Sequence, residues 1–278
     1  MGKIYDLFEE CNEFTAIAIH GEGKSQRVAV LDGEENHVLI VNAESGKRVA
    51  TAGSCVAFRN RHGEFDIPIG VGFSPTGELY VSDSGLRQIH VFDRKGRYVR
   101  GFDGPISWPH GPGLCFTADG NLVVADFKNH RVQVLREDGT LVREFGSAGQ
   151  GEGEFQCPVD VCGLPDGSIA VVDLRNHRVQ IFDGEGGFVR SIGSKGEGPG
   201  QFLNPLSAAV GAGGEIIVGD IDRKDVQVFS KEGELLQIIG KGGDSDVELG
   251  PTIMMGVATD AMGRISVFFN SNTVYMLS

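Results

Sequence analysis

The feature that most constrains the fold is a segment that recurs six times along the chain. Each copy consists of a turn followed by a short strand of alternating apolar residues, and the first five copies end in aspartate. A period of about 40–50 residues without a helical pattern is the size of one four-stranded propeller blade. The six copies occupy residues 26–32, 77–83, 120–126, 167–173, 214–220 and 263–269.

Three further strands accompany each copy. A second alternating segment begins a few residues after the aspartate, and a third follows a glycine-containing turn. A glycine-rich connection then leads to the next blade, whose first strand often begins at a proline, where the missing N–H costs little. Because alternation with period two is typical of stacked sheets, the sequence predicts an all-β protein, a six-bladed β-propeller of four-stranded antiparallel blades.

Counting strands predicts how the ring closes. The sixth copy stops at Ser278 after three strands, whereas residues 3–8 match the pattern of a fourth strand. We therefore expect the N-terminal strand to complete the last blade and remove an open sheet edge. The whole chain, residues 1–278, is then one domain, with approximate blades at 13–53, 67–103, 109–146, 157–193, 205–240 and 253–278 plus 3–8.

The net charge and the cysteine content restrict the binding partners and the cellular compartment that we expect. The formal charge of −13 opposes non-specific binding to nucleic acid or anionic membranes, so we expect neither DNA nor a membrane as partner. The five cysteines include no Cys-x-x-Cys pair, which favours a reducing, cytoplasmic location over a zinc or disulfide framework. We expect a monomer.

Two segments carry a family resemblance. Residues 125–135, ADFKNHRVQVL, and 172–182, VDLRNHRVQIF, resemble the NHL repeat, and the segments 154–161 and 201–208 match its Phe-x-x-Pro lead-in. The match is weaker in the other repeats. The resemblance implies a six-bladed propeller. It also implies that the chain is similar to the recognition domain of larger proteins such as the tripartite-motif ubiquitin ligases.

The Asn-His-Arg triplets at 129–131 and 176–178 have two interpretations. They could bind a ligand, or they could build the blade. In the second interpretation Arg131 pairs with Asp126 and Arg178 pairs with Asp173, while the asparagine fixes the turn. Repetition in several blades favours the second.

Candidate binding residues lie in the loops that differ between blades. The longest blade connection carries an aromatic residue among basic residues, a composition typical of interaction anchors. Other cations fall between the second and third strands of their blades. The candidates are Phe58, Arg59, Arg61, His62, Arg87, Trp108, His110, Lys128, Arg175, Arg223 and Lys224.

We expect no catalytic residue, metal or cofactor. His110 stands where related amidating lyases place a metal-binding histidine, but the residues after the other prolines are not zinc ligands, apart from the weak candidate Thr252. The leading hypothesis is thus a non-catalytic scaffold that presents rim loops to a protein or peptide. The alternatives are single-stranded RNA binding on the basic part of the rim, and a metal-dependent lyase or hydrolase at the channel mouth.

Overall fold

The computed structural model describes residues 14–33, 35–54, 63–105, 113–240, 254–260, 263–269 and 273–277. Within these ranges the strands form six antiparallel sheets arranged as propeller blades, and the strands follow chain order within every blade. The fold prediction is therefore confirmed. The predicted closing strand, residues 3–8, lies outside the described residues.

The first three blades have four strands each. They consist of β1 (Phe14–His20), β2 (Arg27–Asp32), β3 (His37–Asn42) and β4 (Arg48–Ala52); β5 (Pro68–Phe73), β6 (Leu79–Asp83), β7 (Gln88–Phe92) and β8 (Tyr98–Asp103); and β9 (Leu114–Phe116), β10 (Leu122–Asp126), β11 (Arg131–Leu135) and β12 (Leu141–Phe145).

The connection to the fourth blade holds a two-stranded parallel pair, β13 (Ser147–Ala148) and β14 (Glu154–Phe155). The remaining blades consist of β15 (Pro158–Gly163), β16 (Ile169–Asp173), β17 (Arg178–Phe182) and β18 (Phe188–Ile192); β19 (Pro205–Val210), β20 (Ile216–Asp220), β21 (Asp225–Phe229) and β22 (Leu235–Gly240); and β23 (Met254–Thr259), β24 (Ile265–Phe269) and β25 (Thr273–Leu277). Short 3-10 turns occupy Gly23–Ser25, Phe127–Asn129 and Leu174–Asn176.

The apolar core lies between neighbouring blades. Alternation places one face of each sheet against the preceding blade and the other against the next. Three fully buried phenylalanines fill the seams where the chain passes from one blade to the next. These are Phe65, Phe155 and Phe202, each three residues before a proline that opens an inner strand.

The seam phenylalanines also explain three glycines. Gly53, Gly146 and Gly193 follow outer strands and have φ values of +77°, +94° and +87°. A Cβ on any of them would lie 2.0–2.3 Å from a ring carbon of Phe65, Phe155 or Phe202. Glycine is required there by both backbone conformation and space.

The first and last blades are neighbours. β1 packs against β23, and Arg264 Nη2 donates to Gln26 Oε1 over 3.3 Å across the seam. The first and last blades are therefore in direct contact in the described part of the chain.

Strand direction separates two faces. The "interblade face" carries the loops between second and third strands (2–3 loops) and the connections between blades. The "turn face" carries the loops between first and second strands and the turns between third and fourth strands (3–4 turns). Inner strands line the central channel. In the described part of the chain, no helix is long and apolar enough to cross a membrane.

Candidate functional site: the rim of the interblade face

Each 2–3 loop is built around a buried aspartate at the end of a second strand. The carboxylates accept hydrogen bonds from their own loops, for example from the amide of Leu86 to Asp83 and from the amide of Arg223 to Asp220. A buried carboxylate needs such donors, so these aspartates fix the loop and do not face a ligand. The five residues are Asp32, Asp83, Asp126, Asp173 and Asp220, all fully buried.

Each loop ends in a residue in the left-handed conformation, four positions after its aspartate. The φ values lie between 51° and 57° at Asn36, Arg87, His130, His177 and Lys224. The histidine of the repeat is therefore one solution to a backbone requirement that asparagine, arginine and lysine also meet.

The two loop histidines also join successive blades. His130 Nδ1 accepts the amide N–H of Cys157 over 3.3 Å, so that nitrogen carries no proton. His177 Nδ1 lies 2.5 Å from the carbonyl oxygen of Leu203 and must carry the proton to donate. The Nδ1 atoms of equivalent rings thus have opposite roles, acceptor and donor, in tying a loop to the next blade's entry.

The Asn-His-Arg triplets make the predicted ion pairs. Arg131 Nε and Arg178 Nε each lie 2.9 Å from the Oδ2 of their aspartates, Asp126 and Asp173. The asparagine amides donate to the same carboxylates, Asn176 over 2.7 Å. Burial raises the pKa of Asp173, while the bonds from Asn176, Gln156 and Arg178 act in the opposite direction. The ion pairs from the arginines and the hydrogen bonds from the asparagines therefore support the interpretation in which the triplets build the blade.

Arg223 requires a correction. The loop position led us to expect a cation exposed on the rim, but its side chain is only 7% exposed. Arg223 Nη2 lies 2.6 Å from Asp225 Oδ2, and Nη1 donates to the carbonyl of Gly198. The fully buried Asp225 takes up its charge.

Four predicted cations do reach the surface of the interblade face. Arg87, Lys128, Arg175 and Lys224 are exposed, one in each 2–3 loop from the second blade to the fifth. Exposed acidic residues share the face, which makes the rim mixed in charge; they include Glu35, Asp66, Asp103, Glu152, Glu197 and Asp222. The other six candidates, Phe58, Arg59, Arg61, His62, Trp108 and His110, lie outside the described residues.

The glycine-rich connections are held by glutamines from third strands. Gln180 Oε1 accepts the amide of Gly153 over 3.0 Å, and its Nε2 donates to the carbonyl of Glu154 over 2.8 Å. Gln227 repeats both bonds one blade later, with Gly200 and Gln201 at 2.8 Å each. Because these amides are occupied within the protein, the connections do not cradle a phosphate.

The central channel has a volume of about 500 Å³ and is lined by the inner strands. Its one described carboxylate is Asp160, whose Oδ1 accepts the amide of Val161 and whose Oδ2 accepts that of Ala208, both over 2.9 Å. Burial raises the pKa of Asp160 to about 6. It joins the fourth and fifth blades, as Ser207 joins the fifth and sixth by accepting the amide of Val257.

The described residues contain no group of three or more His, Cys, Asp or Glu side chains that could hold a metal ion. Burial raises the pKa of the channel thiol Cys162 well above its usual value, which makes it a poor nucleophile. Asp160 was not among the residues predicted from the sequence, although a single acid in the apolar strand PVDVCG was the available signal.

Comparison with known proteins agrees with this architecture. The NHL repeat family matches residues 112–135, and a family described as a 6-bladed beta-propeller matches residues 159–224. Among solved structures, streptogramin B lyase superposes with a TM-score of 0.66 at 13% identity, covering 99% of this chain and 97% of that one. U3-55K gives a TM-score of 0.68 at 14% identity, covering 99% and 79%. At such identities the likeness shows the fold alone.

Two curated proteins match over parts of the chain. The RING finger protein nhl-1 of Caenorhabditis elegans is 42% identical over 64 residues, which are 23% of this chain and 6% of that protein. The protein brain tumor of Drosophila melanogaster is 26% identical over 91 residues, 31% of this chain and 9% of that protein. The matches thus span less than a tenth of either relative. This chain is a six-bladed β-propeller that matches the NHL repeat at residues 112–135 and has distant, partial similarity to nhl-1 and brain tumor.

Proposed function

We propose that the protein is a binding platform whose interblade face takes a segment of a partner protein bearing acidic side chains. The observation that carries the proposal is the set of four exposed cations, one in each 2–3 loop from the second to the fifth blade. Each sits on a loop that a buried aspartate fixes, so binding does not have to order the loop backbone.

The mixed charge of the rim favours a protein over a polyanion. Acidic residues alternate with the cations around the face, and the formal charge is −13. An extended nucleic-acid backbone would meet these acids, whereas a folded or extended protein segment can place its own charges to match.

The test is a comparison of two variants with equal charge change. The first replaces the rim cations by Arg87→Asn, Lys128→Gln, Arg175→Gln and Lys224→Asn; asparagine is chosen at the left-handed positions because Asn36 already occupies that position in the first blade. The control carries Lys24→Gln, Lys47→Gln, Arg136→Gln and Lys231→Gln on the turn face, where all four cations are exposed.

Cross-linking followed by mass spectrometry measures the outcome. We expect Lys128 and Lys224 of the wild type to cross-link to an acidic partner segment, and the control to retain that partner. At roughly 0.5 kcal/mol for each exposed ion pair, the rim variant should bind about 30-fold more weakly. Equal recovery by both variants would show that this face is not the interface.

Single-stranded RNA remains the second candidate because the same four cations could contact phosphates. It predicts a mobility shift with a pool of RNA that weakens steeply as salt rises, and loss of that shift in the rim variant. An RNA shift with no protein cross-link would replace the first proposal by the second.

A further inference from the structure

A second cationic cluster lies on the turn face, where the first and second blades meet. The 3–4 turn of the second blade, Asp93-Arg94-Lys95-Gly96-Arg97, contains three cations and one acid. The equivalent turns of the third, fourth and fifth blades each contain two acids and at most one cation; they are residues 136–140, 183–187 and 230–234. The fold therefore does not require cations at this turn.

Backbone bonds hold two arginines of this cluster in place. Arg27 Nη1 donates to the carbonyl of Arg94 over 2.6 Å, and Arg94 Nε donates to the carbonyl of Thr76 over 2.7 Å. Since carbonyl oxygens carry no net charge, these hydrogen bonds do not neutralise the positive charge of either guanidinium group. Lys95, next in the chain, is exposed.

Two acids of the second blade near this turn are already paired. Asp93 pairs with Arg97 over 2.6 Å, and Arg97 holds the pKa of that carboxyl down at about 2. Glu78 pairs with Arg100 over 3.3 Å. Arg27, Arg94 and Lys95 are thus left as a local excess of positive charge on a protein whose formal charge is −13.

His20 lies beside Arg94 in this cluster. A Cβ on Gly77 would be 3.0 Å from His20 Nε2 and 3.1 Å from Arg94 Nε, so ring and guanidinium approach each other over this glycine. The ring of Phe73 packs against His20 with centroids 5.5 Å apart. Burial, Arg94 and Arg27 all lower the pKa of His20, in that order. An anion placed here would oppose the two arginines.

We propose that His20, Arg27, Arg94 and Lys95 bind a phosphate monoester carried by a compact ligand or by a phosphorylated side chain. A phosphate monoester has nearly two negative charges and three acceptor oxygens, which matches three cations on two chain segments better than a carboxylate does. The acidic 3–4 turns of the third to fifth blades, on the same face, disfavour an extended polyanion.

The experiment follows the His20 ring by NMR while ligand is added. The probes are inorganic phosphate, a phosphoserine peptide and the same peptide without phosphate. We expect phosphate and phosphopeptide to shift the His20 signals and raise the pH midpoint of its titration, whereas the unmodified peptide does neither. Tighter binding of the phosphopeptide than of inorganic phosphate would identify a modified side chain as the source, and equal binding would identify the phosphate group alone.

Variants separate this site from general charge effects. Lys95→Ala and Arg94→Ala should each weaken phosphate binding about tenfold, and Arg94→Lys should lose less because it keeps the charge. Lys231→Ala, at the position of Arg94 in the fifth-blade turn, should change nothing. Lys95 is exposed, so its variant is expected to fold even if Arg94→Ala does not.

Two results of this titration would overturn the proposal. They are an unmoved His20 signal up to the solubility limit of phosphate and an equal response to the unmodified peptide. Unchanged affinity in Lys95→Ala together with Arg94→Lys would place the bound anion elsewhere. None of these results bears on the rim of the interblade face, which lies on the opposite side of the ring.

Discussion

The 2–3 loops of the fourth and fifth blades share a backbone but differ in charge. Each pairs an aspartate with the residue five positions later, Asp173 with Arg178 and Asp220 with Asp225. Each also has its left-handed residue at the fourth position. In the fourth blade the arginine stands at position five and pairs with the strand-ending aspartate; in the fifth, Arg223 stands at position three and pairs with Asp225.

Both guanidinium groups nonetheless reach the same place. Arg178 Nη2 donates to the carbonyl of Gly151 over 2.7 Å, and Arg223 Nη1 donates to that of Gly198, the equivalent glycine one blade later. Each of these two blades has a cation that joins the loop to the glycine-rich connection, together with a buried acid that balances it. The positions that supply the cation and the acid differ between the two blades.

The largest effect is expected from replacing one member of the fifth-blade ion pair, Arg223 or Asp225. Arg223→Asn leaves Asp225 buried without its cation, and Asp225→Arg brings a second arginine beside Arg223. Each should lower the free energy of unfolding by about 3–5 kcal/mol, because an uncompensated buried charge is costly. The double variant recreates the fourth-blade arrangement and should lie within about 1 kcal/mol of the wild type. Urea unfolding of the four proteins measures the coupling.

Lys224→Asn is the matched control for this cycle. Lys224 lies between the two exchanged positions, is exposed, and has the left-handed backbone that Asn36 adopts in the first blade. We expect it to change stability by less than about 0.5 kcal/mol. If the two single effects simply add in the double variant, the loops do not share one ion-pair requirement.

The same two loops show how far sequence predicts this fold. The repeat length and alternation were sufficient to predict the strands, because burial on both faces of each blade leaves a strong period-two pattern. The Asp173–Arg178 pair was predictable since its two members face each other at the end of neighbouring strands. Arg223 was mispredicted because a cation in a loop is ordinarily solvated; the acid at position 225 was the overlooked signal.

The candidate sites were less predictable for a different reason. Arg27 and Arg94 are far apart in the chain, and only the packing of two blades brings them together beside His20. Asp160 is likewise joined to Ala208 of the next blade. Contacts between blades depend on the curvature of the ring, which the pattern within one repeat does not encode. Exposure of Arg87 and Lys128 was predictable, whereas a ligand for them was not.

Gln180 of the fourth blade and Gln227 of the fifth make equivalent hydrogen bonds, and replacing them tests whether the two blades are equivalent. Both are fully buried and make the same two bonds to the connection that precedes their blade. Replacing either by alanine leaves a part-buried amide and carbonyl without these bonds, so we expect a loss of about 2 kcal/mol in each case. Exposed Gln237→Ala is the control and should have little effect. Thermal or urea unfolding that showed very different losses for the two blades would contradict the equivalence.

The smallest expected effect concerns the channel, where Asp160 of the fourth blade and Ser207 of the fifth accept equivalent amides. The pKa of Asp160 is raised to about 6 in the folded protein, above its unfolded value of about 3.9. Protonation of Asp160 therefore favours folding: its contribution to stability is fully present below about pH 4 and is lost as the pH rises through 6.

Asp160→Ser gives the fourth blade the residue of the fifth and removes this titration. Relative to wild type, the variant should gain about 1–2 kcal/mol of unfolding free energy between pH 4 and pH 7; a full two-unit shift would give more, but the carboxylate is partly exposed to the channel. Asp160→Asn should show the same pH dependence, because it is nearly isosteric and does not ionise. A difference from wild type that stays constant across this range would mean that the Asp160 carboxylate is solvated as well in the folded ring as in the unfolded chain.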